Sequence, residues 1–312
     1  MSAACCAPRG PRSDANTDRN EGEAVRAGST PATGSTEVMV ELGGGTFLMG
    51  TDGPQRFPSD REGPAREVAV SPFWIGETAV TNDRFARFVE ATGHVTTAER
   101  EGWSFVFAGL LPDDFEDTRG VVGAEWWRQV FGADWRRPQG PRSSIDGRGE
   151  HPVVHVSWHD AQAYCGWADL RLPTEAEWEF AARGGLEQAR FAWGDDLTPG
   201  GRWMCNIWQG TFPSRNTLDD GFIGTSPTGS FPANGFGLHD VAGNTWDWIE
   251  DRFDPSASGS RVIRGGSYLC HDSYCDRYRV SARSSNDPTS TTGNMGFRCA
   301  RDRSVDLANL SA

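Results

Sequence analysis

Beyond Gly184 this 312-residue chain offers no stretch with the periodicity of a long helix. Short apolar segments follow one another there, separated by DG, NG, GG and GN pairs that turn the backbone. The helical signals all come earlier. TNDRFARFVEATG reads as a helix capped by Thr81 or Asn82, with Phe85, Phe88 and Val89 on one face and Gly93 as its stop. Segment 158–169 places Ala161, Tyr164, Cys165 and Ala168 at helical spacing. In LRLPTEAEWEFAARGG, Thr174 and Glu177 form a capping box, Trp178, Ala181 and Ala182 face inward, and Gly184 ends the helix. Ahead of them, Val38, Val40 and Leu42 alternate with Met39 and Glu41 as in a half-buried strand, and Val68 and Val70 repeat the pattern. A few early helices followed by loop-rich, short-stranded sequence place the chain in the α+β class.

Thirteen Trp and 17 Phe supply the core, since each such side chain buries roughly 150–250 Å². No apolar run approaches the length of a membrane-spanning helix. All 30 basic side chains are Arg and none is Lys. That excludes P-loop enzymes, pyridoxal phosphate enzymes and Schiff-base chemistry, each of which needs a lysine. The net charge of −13 repels phosphate backbones and argues against nucleic acid, while suiting a basic peptide partner. Seven cysteines, odd in number and sparse, do not resemble a secreted disulfide framework. The opening MSAACCAPRGPRSD lacks an apolar signal core, so a cytoplasmic location is expected. Residues 1–36, almost without large apolar side chains, read as a disordered tail, in which Cys5 and Cys6 are either incidental or a redox or metal pair, the incidental reading being preferred. Residues 37–304 form the folded domain, and 305–312 a second tail.

Chemistry concentrates in three places. The first is Cys270-His-Asp-Ser-Tyr-Cys275, directly after the strand-like RVIRGGSY. Residues five apart point to opposite faces of a straight strand, so the two thiols converge only across a turn. The pair then reads as a strained disulfide, a structural zinc half-site or a Cu(I) site. Zinc needs two more ligands, and no second Cys or His cluster has suitable spacing; His271 would have to fold back. The second place is NIWQGTFPSRNTLDDGF, with the hard oxygens of Asn206, Asp219 and Asp220 near a glycine turn. The third is LHDVAGNTWDW, with Asp240, Asn244 and Asp247. Both read either as calcium sites or as plain Asx turns. The histidines form no HExxH motif. HPVVHVSW reads as a strand ending at Ser157 that puts His151 and His155 on one face, and these two with His159 are structural.

Taken together, these segments resemble formylglycine-generating enzymes, the sulfatase-modifying factor family. The resemblance rests on GGTFLMG (44–50), AVTNDRFARFVEATGHVT (79–96), HPVVHVSWHDAQAYCGWADLRLPTEAEWEFAARGG (151–185), NIWQGTFP (206–213), NGFGLHDVAGNTWDW (234–248), RVIRGGSYLCHDSYCDRYRVSARSSN (261–286) and GNMGFRC (293–299). It runs from about residue 37 to 302, and GGSYLCHDSYC is its most specific part.

The resemblance implies a C-type-lectin-like fold with little regular structure and two structural Ca²⁺ ions. It implies oxidation of a cysteine in a C-x-P-x-R motif of an unfolded sulfatase to formylglycine by a monomer, using O₂ and copper. Cys270 and Cys275 would hold Cu(I) as thiolates, with the substrate thiol as a third sulfur ligand. Ser267, Tyr274, Trp246 and Asn294 would line the site, and Arg283 falls in the same segment. One calcium ion would take the side chains of Asn206 and Asp220 and the carbonyls of Ile207 and Phe222. The other would take Asp240 and Asp247 with carbonyls of Val241, Gly243 and Thr245. Many relatives carry Asn and Glu in place of Asp240 and Asp247. Cys165 and Cys299 match a disulfide of animal relatives, whose second pair is Ala182 and Val280 here. Trp103 and Ala108 stand where acids that bind the substrate arginine are expected, which leaves that task to other acids or to a cation–π contact with Trp103. Two other readings fit the fold. An iron-dependent sulfoxide synthase would need a histidine triad and an added helical domain. A non-catalytic lectin-like module would need no cysteine pair.

Overall fold

The computed structural model describes Pro8, residues 37–256 and residues 259–303. The expected C-terminal tail lies outside these residues, as does the N-terminal tail apart from Pro8. Pro8 is buried, and its carbonyl accepts a hydrogen bond from Asn286 Nδ2 at 3.3 Å.

Three of the four helices form where the caps or the apolar spacing place them. In α1 (Asn82–Thr92), the Thr81 hydroxyl accepts from the Arg84 amide and Gly93 closes the helix in the left-handed conformation. The Phe85, Phe88 and Val89 face is buried. A short α2 (Thr97–Glu101) follows on a Thr96/Glu99 capping box that the sequence reading missed. Both α3 (Trp158–Ala168) and α4 (Glu175–Arg183) begin on reciprocal boxes, Ser157/Asp160 and Thr174/Glu177. Past α4 the described residues contain no further α-helix.

The strands form small sheets. β1 (Met39–Leu42) pairs antiparallel with β4 (Phe73–Gly76), which also pairs with the C-terminal β14 (Ala300–Asp302), so the two ends of the domain meet. β2 (Gly45–Met49) and β3 (Arg66–Val70) form a ribbon against α4. β5 (Trp103–Phe107) runs beside β7 (Ala124–Phe131), which also pairs with β6 (Gly120–Val121). β8 (Gly210–Thr211) and β9 (Arg215–Asn216) make a short hairpin. The site-bearing sheet has the order β12 (Arg283–Asn286), β11 (Arg261–Arg264), β10 (Trp246–Arg252), β13 (Met295–Gly296), with the β10–β13 pair parallel. One face of this sheet, through Trp246, Trp248 and Ile263, joins a core built from α1 and α3 that also includes Cys270 and Cys275. The other, through Ile249 and Val262, packs with Trp178, Ala181 and Ala182 of α4.

One expectation fails. Segment 151–158 is not a strand; the chain there makes an isolated bridge between Pro152 and Thr81. His155 takes a left-handed φ of 60°, which breaks any two-residue alternation with His151.

Candidate active site

Two glycines and a tight turn bring the cysteines together. Gly265 and Gly266 have φ of 91° and 74°, and a Cβ on Gly266 would lie 3.0–3.1 Å from the backbone of Arg277 and Tyr278. The chain leaving β11 can therefore run against the chain leaving the second cysteine. Between them the backbone folds over: the amides of Tyr274 and Cys275 both donate to the His271 carbonyl, and the Cys270 amide donates to Ser267 O. Cys270 Sγ and Cys275 Sγ end 3.2 Å apart, both buried. The turn that the spacing demands is thus present. Neither sulfur is in a disulfide, and burial pushes the Cys270 thiol well above its usual range. His271 does not fold back; its Nδ1 lies 2.8 Å from Ser273 Oγ.

Ser267 belongs to the same knot, its amide donating to Cys270 Sγ at 3.4 Å. Its hydroxyl accepts from Asn294 Nδ2 at 3.0 Å, and Asn294 Oδ1 accepts from Thr292. Trp246, next to Met295 across β10–β13, packs in the thiol-bearing core, and its buried indole N–H has no hydrogen-bond acceptor among the described residues. Tyr274 stacks on Phe212 with ring centroids 4.3 Å apart and meets the edge of Trp126 at 5.1 Å, forming an aromatic wall beside Cys275. Sequence reasoning missed Phe212 and Trp126. Arg283 points elsewhere: it forks onto Glu175 and donates to the Asp60 carbonyl. Trp103 is half-buried and packs edge-on against Phe105.

Other described thiols and imidazoles are held by packing and hydrogen bonds. His155 is fully buried between Ser104 Oγ and the Pro138 carbonyl, and burial pulls its pKa down to about 4. His151 bonds to Thr225. Cys165 and Cys299 face each other at 3.7 Å as free thiols, and Cys205 is buried in the core.

The oxygen-donor loops also converge. Asp220 accepts from the amides of Ile207 and Phe222, one on each carboxylate oxygen. The Gln209 side-chain amide donates to the Ile207 carbonyl. Asn206 Nδ2 bonds to Gly224 O at 2.9 Å, which leaves Asn206 Oδ1 buried and unpartnered. In the second loop Asp240 Oδ2 accepts from the Gly229 amide, and Asp247 Oδ2 from Trp178 Nε1 and Arg298 Nε. Oδ1 of each is buried and unpartnered. Burial raises the pKa of both Asp220 and Asp240. Asp219 turns away onto Thr217 Oγ1, and Asn244 Oδ1 is taken by the Ser226 amide. Among the described residues, no group of three or more His, Cys, Asp or Glu is arranged to hold a metal. Any cation in these loops would draw largely on carbonyl and amide oxygens.

The model of the sulfatase-modifying factor enzyme 1-like domain matches residues 25–303. The chain belongs to the sulfatase-modifying factor enzyme family. It is 55% identical over 304 residues to the formylglycine-generating enzyme of Streptomyces coelicolor, covering 93% of this chain and 96% of the relative. Among solved structures, PvdO from Pseudomonas aeruginosa superposes with a TM-score of 0.63 at 26% identity, covering 85% of this chain and 94% of the other. The fold is thus that of the sulfatase-modifying factors, and the activity is that of an oxidoreductase of sulfatase maturation that generates formylglycine. A Mus musculus relative, 47% identical over 267 residues (84% of this chain, 85% of the relative), is named inactive C-alpha-formylglycine-generating enzyme 2.

Proposed function

We propose that this sulfatase-modifying factor oxidises the cysteine of a C-x-P-x-R segment in an unfolded sulfatase, with O₂ as oxidant and Cu(I) held by Cys270 and Cys275. The observation that carries the reading is the meeting of these two buried sulfurs, 3.2 Å apart, with no His, Asp or Glu among the described residues completing a metal-binding group with them. Such a donor set suits a soft ion of low coordination number and does not suit zinc. Bound copper would supply the one-electron chemistry that couples O₂ to a thiol.

The protein's own groups do the rest. Cys270 and Cys275 supply two sulfurs, and the substrate thiol would supply a third. The N–H of Trp246, buried without an acceptor, is positioned to donate to an oxygen atom brought into the site. Asn294 fixes the Ser267 hydroxyl beside the sulfur pair. The Tyr274–Phe212–Trp126 wall keeps water from the thiols and offers a flat face to the substrate proline.

Two Ca²⁺ ions would sit in the oxygen-donor loops. One would use Asn206, Ile207, Asp220 and Phe222, the other Asp240, Val241, Gly243, Thr245 and Asp247. The unpartnered oxygens of Asn206, Asp240 and Asp247 support this assignment, because a buried acceptor without a donor is costly unless a cation meets it. A reducing cytoplasm suits a chain whose buried thiol pairs must stay reduced.

A C-x-P-x-R peptide assay tests the mechanism. Copper-free enzyme, whether oxidised or reduced, makes no aldehyde until stoichiometric Cu(I) is added. Full-rate turnover by rigorously copper-free enzyme replaces the copper reading with a thiol relay.

A further inference from the structure

Arg277 lies two residues beyond Cys275 and is buried. Its Nη1 donates to Cys275 Sγ at 3.6 Å. Its Nε donates to Asp60 Oδ2 at 2.6 Å, and the guanidinium plane lies 4.2 Å over the Phe57 ring. Asp60 comes from a single 3₁₀ turn, Pro58–Asp60, more than two hundred residues earlier in the chain. That turn is itself held: the Asp60 amide donates to Phe57 O, Ser59 Oγ to Asp60 Oδ1, and Arg283 Nη1 to the Asp60 carbonyl. Arg283 in turn forks onto Glu175 of α4.

The neighbouring Arg279 shows what a purely structural arginine looks like here. It also reaches the same early segment, but both terminal nitrogens go to Glu62, at 2.7 and 2.9 Å, and Nε goes to the Asp276 carbonyl. Arg277 donates from Nε to its carboxylate and from Nη1 to sulfur.

We propose that Arg277 is a positioning residue for the sulfur site: it donates to Cys275 Sγ, fixes that side chain facing Cys270, and offsets the negative charge of the metal-bound thiolates. Asp60 and Phe57 hold the guanidinium in the orientation that allows this. The inference rests on the Cu(I) reading above. Two thiolates around a single positive ion leave net negative charge in a buried site, and a hydrogen bond from a fixed cation is the cheapest local compensation. Groups that hydrogen-bond to metal ligands typically change metal affinity about 10- to 100-fold when removed.

The test is Cu(I) affinity of the whole chain, measured by competition with a chromophoric Cu(I) chelator, alongside thermal melts without metal. Arg277→Gln is expected to bind Cu(I) about 10- to 100-fold more weakly, with the peptide KM little changed. Arg277→Lys keeps the charge but cannot serve Asp60 and sulfur from one rigid fork, and it is expected to recover part of the affinity. A folded Arg277→Gln that binds Cu(I) as tightly as the parent overturns the proposal. If Arg277→Gln does not fold, Arg277→Lys and Asp60→Asn decide: weakened Cu(I) binding in both supports the role, and parental affinity in both overturns it. A parent chain that holds no Cu(I) brings down the functional reading itself, a different result from a variant that matches a copper-binding parent.

Discussion

Gly243 lies directly against the main-chain oxygen of Asn206: a Cβ at position 243 would fall 2.2 Å from it. The contact joins the two oxygen-donor loops, and the Asn244 amide, donating to the same oxygen at 2.8 Å, locks them together. With φ of 73°, Gly243 also occupies the left-handed region. Both the conformation and the close approach require glycine.

Gly243→Ala is accordingly expected to destabilise the chain by more than about 2 kcal/mol, combining left-handed strain with a backbone overlap. Gly166→Ala serves as the control. Gly166 sits in α3, and a Cβ there meets nothing within 4 Å, so alanine should leave stability equal or higher. Thermal melts of both variants check this, and equal melting temperatures would sink the argument.

Calcium removal should act on stability and not on chemistry. An ion that binds only the native state adds about 2.7 kcal/mol at a hundred times its Kd. Exhaustive chelation should therefore lower the melting temperature. Asp240→Asn should reduce the drop, since it removes one of the few carboxylates in these loops. A melt that does not change in protein shown by metal analysis to be calcium-free refutes the assignment.

His155 sets an acid limit. Its pKa falls from an ordinary 6.5 to about 4 because the ring is buried. Between those values the unfolded chain binds a proton that the native chain refuses. The native state thus keeps this contribution above pH 6.5 and loses it as pH drops toward 4. The full size is about 3 kcal/mol. Urea midpoints at pH 7 and pH 4.5 measure the loss. His155→Gln should be less stable at pH 7 but show a flatter dependence across that window; an unchanged slope would place the effect on another group.

What the sequence revealed about this fold was local. Thr81 and Thr174 announce their helices because a cap is a contact within four residues; Ser157, read as the end of a strand, caps α3 instead. The Cys270–Cys275 turn follows from spacing alone, since two thiols that far apart along a strand meet only if the chain reverses. β7 stayed hidden because its buried residues, Ala124, Trp127 and Val130, fall three apart and not two. The 151–158 segment misled because its alternating apolar residues mimic a strand, while His155 turns the backbone left-handed. The Asp60–Arg277 pair carries no local signal. Its two halves lie more than two hundred residues apart and meet only through tertiary packing.

Trp246 offers the sharpest separation of packing from chemistry. Its ring is wholly buried among core residues that include both cysteines, yet its N–H has no acceptor among the described residues. A donor left unpaired in such surroundings costs stability, so removing it should cost little. Trp246→Phe is therefore expected to lose no more than about 2 kcal/mol, from the smaller ring alone. If the N–H serves an oxygen atom that enters during the reaction, the same change removes a donor needed only then. Turnover of a C-x-P-x-R peptide should fall by about ten-fold or more while KM stays within a few-fold. A Trp246→Phe enzyme that melts lower but turns over at the parental rate would make the indole a packing residue and nothing more.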